Sequence, residues 1–296
     1  MPFPLFRHFA DQMPCRIRYA NVLSVIWFRC LCTLSLPPPR HQGERRLPCQ
    51  PEQGVGLAQA CEVLCRGLPD QHPPQRALSR HQDREGAEAG HEVASHGYDH
   101  ARVFTFTPEQ FRADLRKSRA ILEDASGQKV SGYRAPSFSI DPRTPWAHPI
   151  LAEEGYAYSS SVAPIRHDHY GWPDSPRFAW KPVAGSDLLE LPVTTAKLGQ
   201  RTLAAGGGGF FRLLPYGFSR WAIRQVNGQA QRPAIIYFHP WEIDPDQPRV
   251  AGAPLRSRVR HYTNLSVMAA KLRRLTQDFA WTRVDALVAQ EAARAA

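Results

Sequence analysis

Apolar positions alternate between two periods along the chain from Gly90 onward. Short apolar runs at Glu92–Ser95, Tyr156–Ser160, Leu188–Val193, Ala234–His239 and Ala280–Val284 read as strands. Between them, apolar residues three or four apart mark helices over Pro149–Glu154, Arg212–Val226 and Asn264–Asp278, the last repeating Leu265, Met268, Leu272 and Leu275. The sharpest helix begins at Thr107. Pro108 stands at N1 and Gln110 at N3, a capping box; Phe111, Leu115, Ser118 and Leu122 share one face, and Gly127 supplies the stop. Strands alternating with helices predict a parallel α/β sheet or a (β/α) barrel.

The first ninety residues follow no such period. Their one apolar run, Ala20–Phe28, meets Arg29 at once and then Pro37-Pro38-Pro39. A membrane span needs about 20 apolar residues, so no stable span is expected. Arg16 and Arg18 give the run the leading charges of a signal peptide, but no small-residue cleavage site follows. The stretch from Pro37 to Glu88 is rich in Pro, Arg, Gln and Gly. It reads as a disordered tail or as the product of a shifted frame in a GC-rich coding sequence. The expected organisation is an atypical segment over residues 1–88 and one folded domain over residues 89–290.

Composition sharpens that division. All six cysteines precede Gly90 and all five lysines follow it. Neither Cys30-Leu-Cys32 nor Cys61-Glu-Val-Leu-Cys65 has zinc-finger spacing. The net charge of +10 comes from 11 basic against 8 acidic residues before Gly90, and 26 against 19 from there on. Arg249, Arg256, Arg258 and Arg260 form a basic stretch, but no nucleic-acid motif accompanies them. A solvated face is expected there, with no nucleic-acid partner. The Gly206–Gly209 run lacks a following Lys-Ser/Thr and is expected to be a flexible loop. A cytoplasmic location is the expectation.

Three clusters carry candidate chemistry. His96 and His100 stand four apart directly after a strand; if that turn is helical, both imidazoles share a face and a metal. Arg134, just ahead of Pro136, can hold a carboxylate through a paired contact, or be a surface residue of an ordinary turn. His239 ends the buried run Ile235–Phe238, where it could act as a general acid or be a satisfied structural histidine. Trp172, Trp180 and Trp241 could stack on sugars or be core.

In this order the clusters resemble the NodB-like polysaccharide deacetylase family, and most closely its members linked to exosortase-associated exopolysaccharide loci. The resemblance runs from about Ala89 to about Val288 and includes Arg166-His-Asp168, Gly206–Phe210, Leu213–Tyr216 and His239-Pro-Trp-Glu242. It implies a distorted (β/α)7 barrel, incomplete at the N-terminal strands. It also implies His96 and His100 as ligands of a divalent metal, zinc by preference, and Arg134 orienting a catalytic carboxylate. His239 would protonate the departing amine, and Ser137 and Phe138 would lie at the oxyanion, with Trp241 near the substrate. The implied reaction is hydrolysis of N-acetyl groups on a polysaccharide.

One family feature is missing. The family opens with a strand ending in paired aspartates, a metal ligand and the general base, and no such pair precedes His96 here. Asp99 and Glu92 are poor substitutes by position. Two alternatives therefore stand beside the deacetylase expectation: a related amidase on a small amide, and a non-catalytic carbohydrate-binding relic.

Overall fold

The structure is a computed structural model that describes residues 22–25, 27, 28, 84, 87, 88, 90–167, 170–247, 249, 250 and 252–295. Most of the segment 1–88, and Asp168 of the Arg166-His-Asp168 stretch, lie outside the described residues.

Strands β1 (Val22–Val25) and β2 (Trp27–Phe28) precede β3 (Val93–Ala94), helix α1 (Pro108–Ser126), β4 (Gly132–Tyr133), α2 (Ala147–Glu153), β5 (Tyr158–Ser159) and β6 (Leu189–Glu190). A hairpin of β7 (Thr195–Leu198) and β8 (Arg201–Ala204) leads into α3 (Gly208–Leu213) and α4 (Tyr216–Arg224). Then come β9 (Ala234–Ile236), α5 (Leu255–Tyr262), α6 (Leu265–Asp278), β10 (Ala280–Thr282) and α7 (Val284–Ala295).

Backbone pairing makes a circuit. A bridge between Ser95 and Tyr133 joins β3 to β4, β4 pairs with β5, and β5 with β6, all in parallel. Thr194 continues the circuit: its N–H donates to Ile235 O (3.1 Å) and its hydroxyl accepts from Ile235 N (2.6 Å). From β9 the pairing passes to β1, and β2 returns it to β3 through Trp27↔Val93 and Phe28↔Ala94; β10 lies on β1 as well. The α/β class expected from the sequence is the class observed, a distorted parallel barrel of very short strands. The first-strand position, unaccounted for in the sequence, is taken by β1 and β2. The run Ala20–Phe28, which carries the flanks of a leader, thus contributes to the sheet because its pairing partners lie more than 200 residues downstream as well as at Val93.

Helix α1 forms as its caps dictate. Thr107 Oγ1 accepts from Gln110 N (3.2 Å), Gln110 Oε1 accepts from Thr107 N (2.8 Å), and Gly127 closes the helix at φ 68°. Its face of Phe111, Leu115, Ser118 and Leu122 is buried, packed with Tyr133, Leu151 and Val162. A second core gathers Phe211, Ile223, Ile236, Met268, Leu272 and Leu275. The helix expected over Arg212–Val226 is instead α3 and α4, because Pro215 has no N–H to continue the first and its ring opens the second.

The glycine run is not a flexible loop. A Cβ on Gly206 would lie 2.4 Å from Ile235 O, and one on Gly208 would lie 2.3 Å from Glu242 Oε1. These residues lack side chains because β9 and the turn after it pack directly on their backbone. No described helix is long and apolar enough to cross a membrane.

Candidate functional site

Every predicted site residue lies at or just beyond the C-terminal end of a barrel strand, where parallel barrels assemble their chemistry. His96 follows β3, Arg134 to Phe138 follow β4, and His239 follows β9.

The segment from His96 to His100 is not helical, which corrects the geometry that the i,i+4 spacing suggests. Gly97 at φ 79° and His100 at φ 54° fold it into an irregular turn. The rings still meet, edge to face, with centroids 4.9 Å apart. Asp114 on α1 holds the turn by accepting from Tyr98 N at 3.1 and 3.2 Å. His96 Nδ1 lies 2.8 Å from Arg134 O. A carbonyl can only accept, so Nδ1 carries the proton and Nε2 the lone pair, the tautomer of a metal-binding imidazole. His96 is therefore a donor of suitable form, with the His100 ring beside it. Among the described residues no group of three or more His, Cys, Asp or Glu could hold a metal.

The substitutes are committed elsewhere. Glu92 is buried, accepts from Tyr158 OH (2.6 Å) and Asp285 N (3.0 Å), and so ties β3 to the start of α7. Asp99 is exposed. Strand β2, which pairs with β3, and β1 before it contain no carboxylate.

Arg134 is buried, which settles the surface-turn alternative. Its Nε donates to Ser160 O (2.8 Å) and Nη2 to Ser160 Oγ (2.7 Å), and the guanidinium carbon sits 5.6 Å from the Phe138 ring and 5.5 Å from Tyr237. Burial lowers its pKa to about 10, still cationic at neutral pH. Ser137 and Phe138 both adopt positive φ, 55° and 49°, aiming this turn across the barrel mouth. Phe138 N already donates to Ala135 O (3.1 Å), so of the expected oxyanion pair its N–H is engaged.

Phe138 meets Tyr237 at 4.8 Å between centroids, and Tyr237 meets His239 at 5.9 Å. Together with the His96–Arg134 bond, these contacts bring His96, Arg134, Ser137, Phe138 and His239 into one neighbourhood. His239 is partly exposed and oriented from behind. Glu242 Oε1 accepts from His239 N (3.0 Å) and lies 3.1 Å from His239 Nδ1. Glu242 is buried, with Oε2 3.6 Å from Nε of buried Arg212. Arg212 in turn donates to Arg260 O (2.7 Å) and to His261 O.

Sequence reasoning missed Glu242 and Arg212 as functional residues. The signal was there for Glu242: Pro at N1 and Glu at N3 after His239 repeat the capping-box pattern, with His in the cap position. Trp241 is stacked on His261 (4.1 Å, 13°) and on His239 (5.6 Å, 20°), so it braces His239 instead of offering a bare face to sugar. Burial, then the Arg212 charge, lower His261 to about 4, which keeps it neutral beneath the indole.

The chain is similar to known proteins over part of its length. The family model described as polysaccharide deacetylase matches residues 71–158. The chain carries a polysaccharide deacetylase domain. A second model, a domain of unknown function (DUF3473), matches residues 160–289 of this deacetylase-family chain. Its curated relatives include a peptidoglycan deacetylase of Helicobacter pylori, 33% identical over 25% of this chain and 25% of the relative. Another is a peptidoglycan deacetylase-like protein of Gibberella zeae, 32% identical over 26% and 22%. The match thus spans about a quarter of those relatives' length. Among solved structures, a family 4 carbohydrate esterase from Streptomyces lividans in complex with acetate aligns with 89% of this chain and 91% of its own, at 11% identity and TM-score 0.37.

Proposed function

We propose that this chain removes N-acetyl groups from a polysaccharide, an exopolysaccharide precursor being the expected substrate, through a domain spanning residues 89–290. The observation that carries the reading is the shared neighbourhood of a carbonyl-fixed His96 and a carboxylate-oriented His239, joined through Arg134, Phe138 and Tyr237.

In the proposed reaction water adds to the amide carbonyl and the C–N bond breaks, releasing acetate and a free sugar amine. His239 delivers a proton to the departing nitrogen, with Glu242 holding Nδ1 so that Nε2 faces the substrate. Arg134, cationic and fixed by Ser160, supplies a positive field at the mouth. A divalent metal, zinc on the family resemblance, would be held by His96 and His100. It would polarise the carbonyl and acidify the water.

A second reading is a carbohydrate-binding protein without turnover. It is favoured by one observation: neither β2, which pairs with β3, nor β1 before it carries a carboxylate. Acetate release from an N-acetylated glycan, measured with added zinc and after chelation, separates the two. The deacetylase reading expects zinc-dependent release that falls about 10²–10⁴-fold in His239→Ala. Folded, zinc-treated protein that releases no acetate overturns it and leaves the binding reading.

A further inference from the structure

A cavity of about 570 Å³ opens beside the candidate site, between the segment Ile140–Pro149 and Trp172 to Ala184. Its walls are mainly apolar, with Trp172, Trp180, Pro145 and Val183 among them. The two indoles stand nearly perpendicular, 85° apart with centroids 6.2 Å apart, and form a corner. Backbone bonds fix both: Trp180 exchanges hydrogen bonds with Glu190 (3.1 and 2.8 Å), and Trp172 N donates to Ala163 O (2.8 Å).

Asp141, Thr144 and His148 are the polar side chains of this lining. His148 is 6% exposed and packs edge-on against Trp180 at 5.8 Å. Its Nε2 lies 3.0 Å from Glu190 Oε2, and Glu190 is completely buried. The other Glu190 oxygen accepts from Ser161 N (2.8 Å) and Val162 N (2.9 Å). Burial pushes the Glu190 carboxyl up, but the His148 ring, Ser159 and the Val162 N–H outweigh it and hold it below the usual carboxylate range. An ionised Glu190 can only accept, so His148 Nε2 carries a proton. His148 Nδ1 makes no protein hydrogen bond and is not among the sealed unpartnered atoms.

A ligand matching this cavity needs apolar C–H faces for the indole corner and a hydroxyl, donor or acceptor, to hydrogen-bond His148 Nδ1. We propose that the cavity binds a pyranose ring, a neighbouring unit of the glycan whose N-acetyl group reaches the candidate site; the choice of a sugar chain rests on the deacetylase-family reading. The placement suits an extended chain. Ser160, which holds Arg134, directly precedes Ser161, which holds Glu190 behind His148, and Ile140 follows Phe138 by two residues.

Binding without turnover tests this apart from the reaction. The full chain, kept in chelator, is titrated with the tetramer of N-acetylglucosamine while tryptophan fluorescence is followed. Saturable quenching is expected, weakened about tenfold or more in Trp172→Ala and nearly preserved in Trp172→Phe, which keeps a stacking face. Val183→Phe, which fills the groove from its rim, should weaken binding similarly, and circular dichroism checks that each variant folds. Thr107→Ala, at the α1 cap, should bind as the wild type does. Wild-type affinity in both Trp172→Ala and Val183→Phe, or equal weakening in Thr107→Ala, overturns the proposal. So does the absence of binding at millimolar sugar. A chain that binds this way but releases no acetate supports the cavity and refutes the catalytic reading.

Discussion

Replacing Glu92 by Gln should flatten the pH dependence of stability. Glu92 is 8% exposed at the start of β3, and burial raises its pKa from 4.5 to about 7, against the lowering effect of the Tyr158 hydroxyl and the Asp285 N–H. The folded state therefore favours the protonated acid. The stability this group contributes is complete below pH 4.5 and is lost as pH rises through about 7. A shift of that size corresponds to roughly 3 kcal/mol, with a limiting slope of about 1.4 kcal/mol per pH unit. In a domain of this size it moves the melting temperature by about 6–12 °C. In Glu92→Gln that fall disappears, while one acceptor is lost and costs about 1 kcal/mol. The variant should be slightly weaker than wild type at pH 4.5 and more stable at pH 8. Denaturant midpoints across this range, for both proteins, measure the difference. Parallel curves would show that Glu92 titrates alike in the folded and unfolded chains, and the reasoning would fail.

Other substitutions probe the scaffold behind His239. Gly208→Ala places a methyl against Glu242 Oε1, so it should destabilise the fold by about 1–3 kcal/mol in urea unfolding. Glu242→Gln strands the buried Arg212 charge and should cost about 3–5 kcal/mol, with Glu242→Asp recovering part of it in the same measurement. Thr107→Ala removes the α1 cap and should cost about 1 kcal/mol by thermal melting, leaving sugar binding unchanged.

What the sequence disclosed follows the range of the forces involved. Helix α1 was legible to the residue because Thr107, Pro108, Gln110 and Gly127 act within a turn of where they stand. Strand β9 was legible because a run of buried aliphatics needs no distant information. The two-residue strand β4 was not: Gly132 and the nearby Pro136 read as a turn, and only pairing with Ser95 and β5 makes it a strand. Gly206–Gly209 looked loose for the same reason, since the atoms that exclude side chains there belong to Ile235 and Glu242. The histidines and Arg134 were found by type and position. Their supports were not, because Arg212 and Glu242 meet across 30 residues and Glu190 meets His148 across 42.

Helix α5 has consequences for motion near His239. It buries no side chain, and Leu255 and Val259 are 73% and 53% exposed. The bonds from Arg212 to the carbonyls of Arg260 and His261 therefore clasp a helix with little packing of its own. Its amides should exchange with solvent through local opening, well below the free energy of global unfolding. Each opening would release Arg212 from those carbonyls and lift His261 from Trp241. Opening of this surface helix would thereby slacken the chain of contacts from Arg212 through Glu242 to His239.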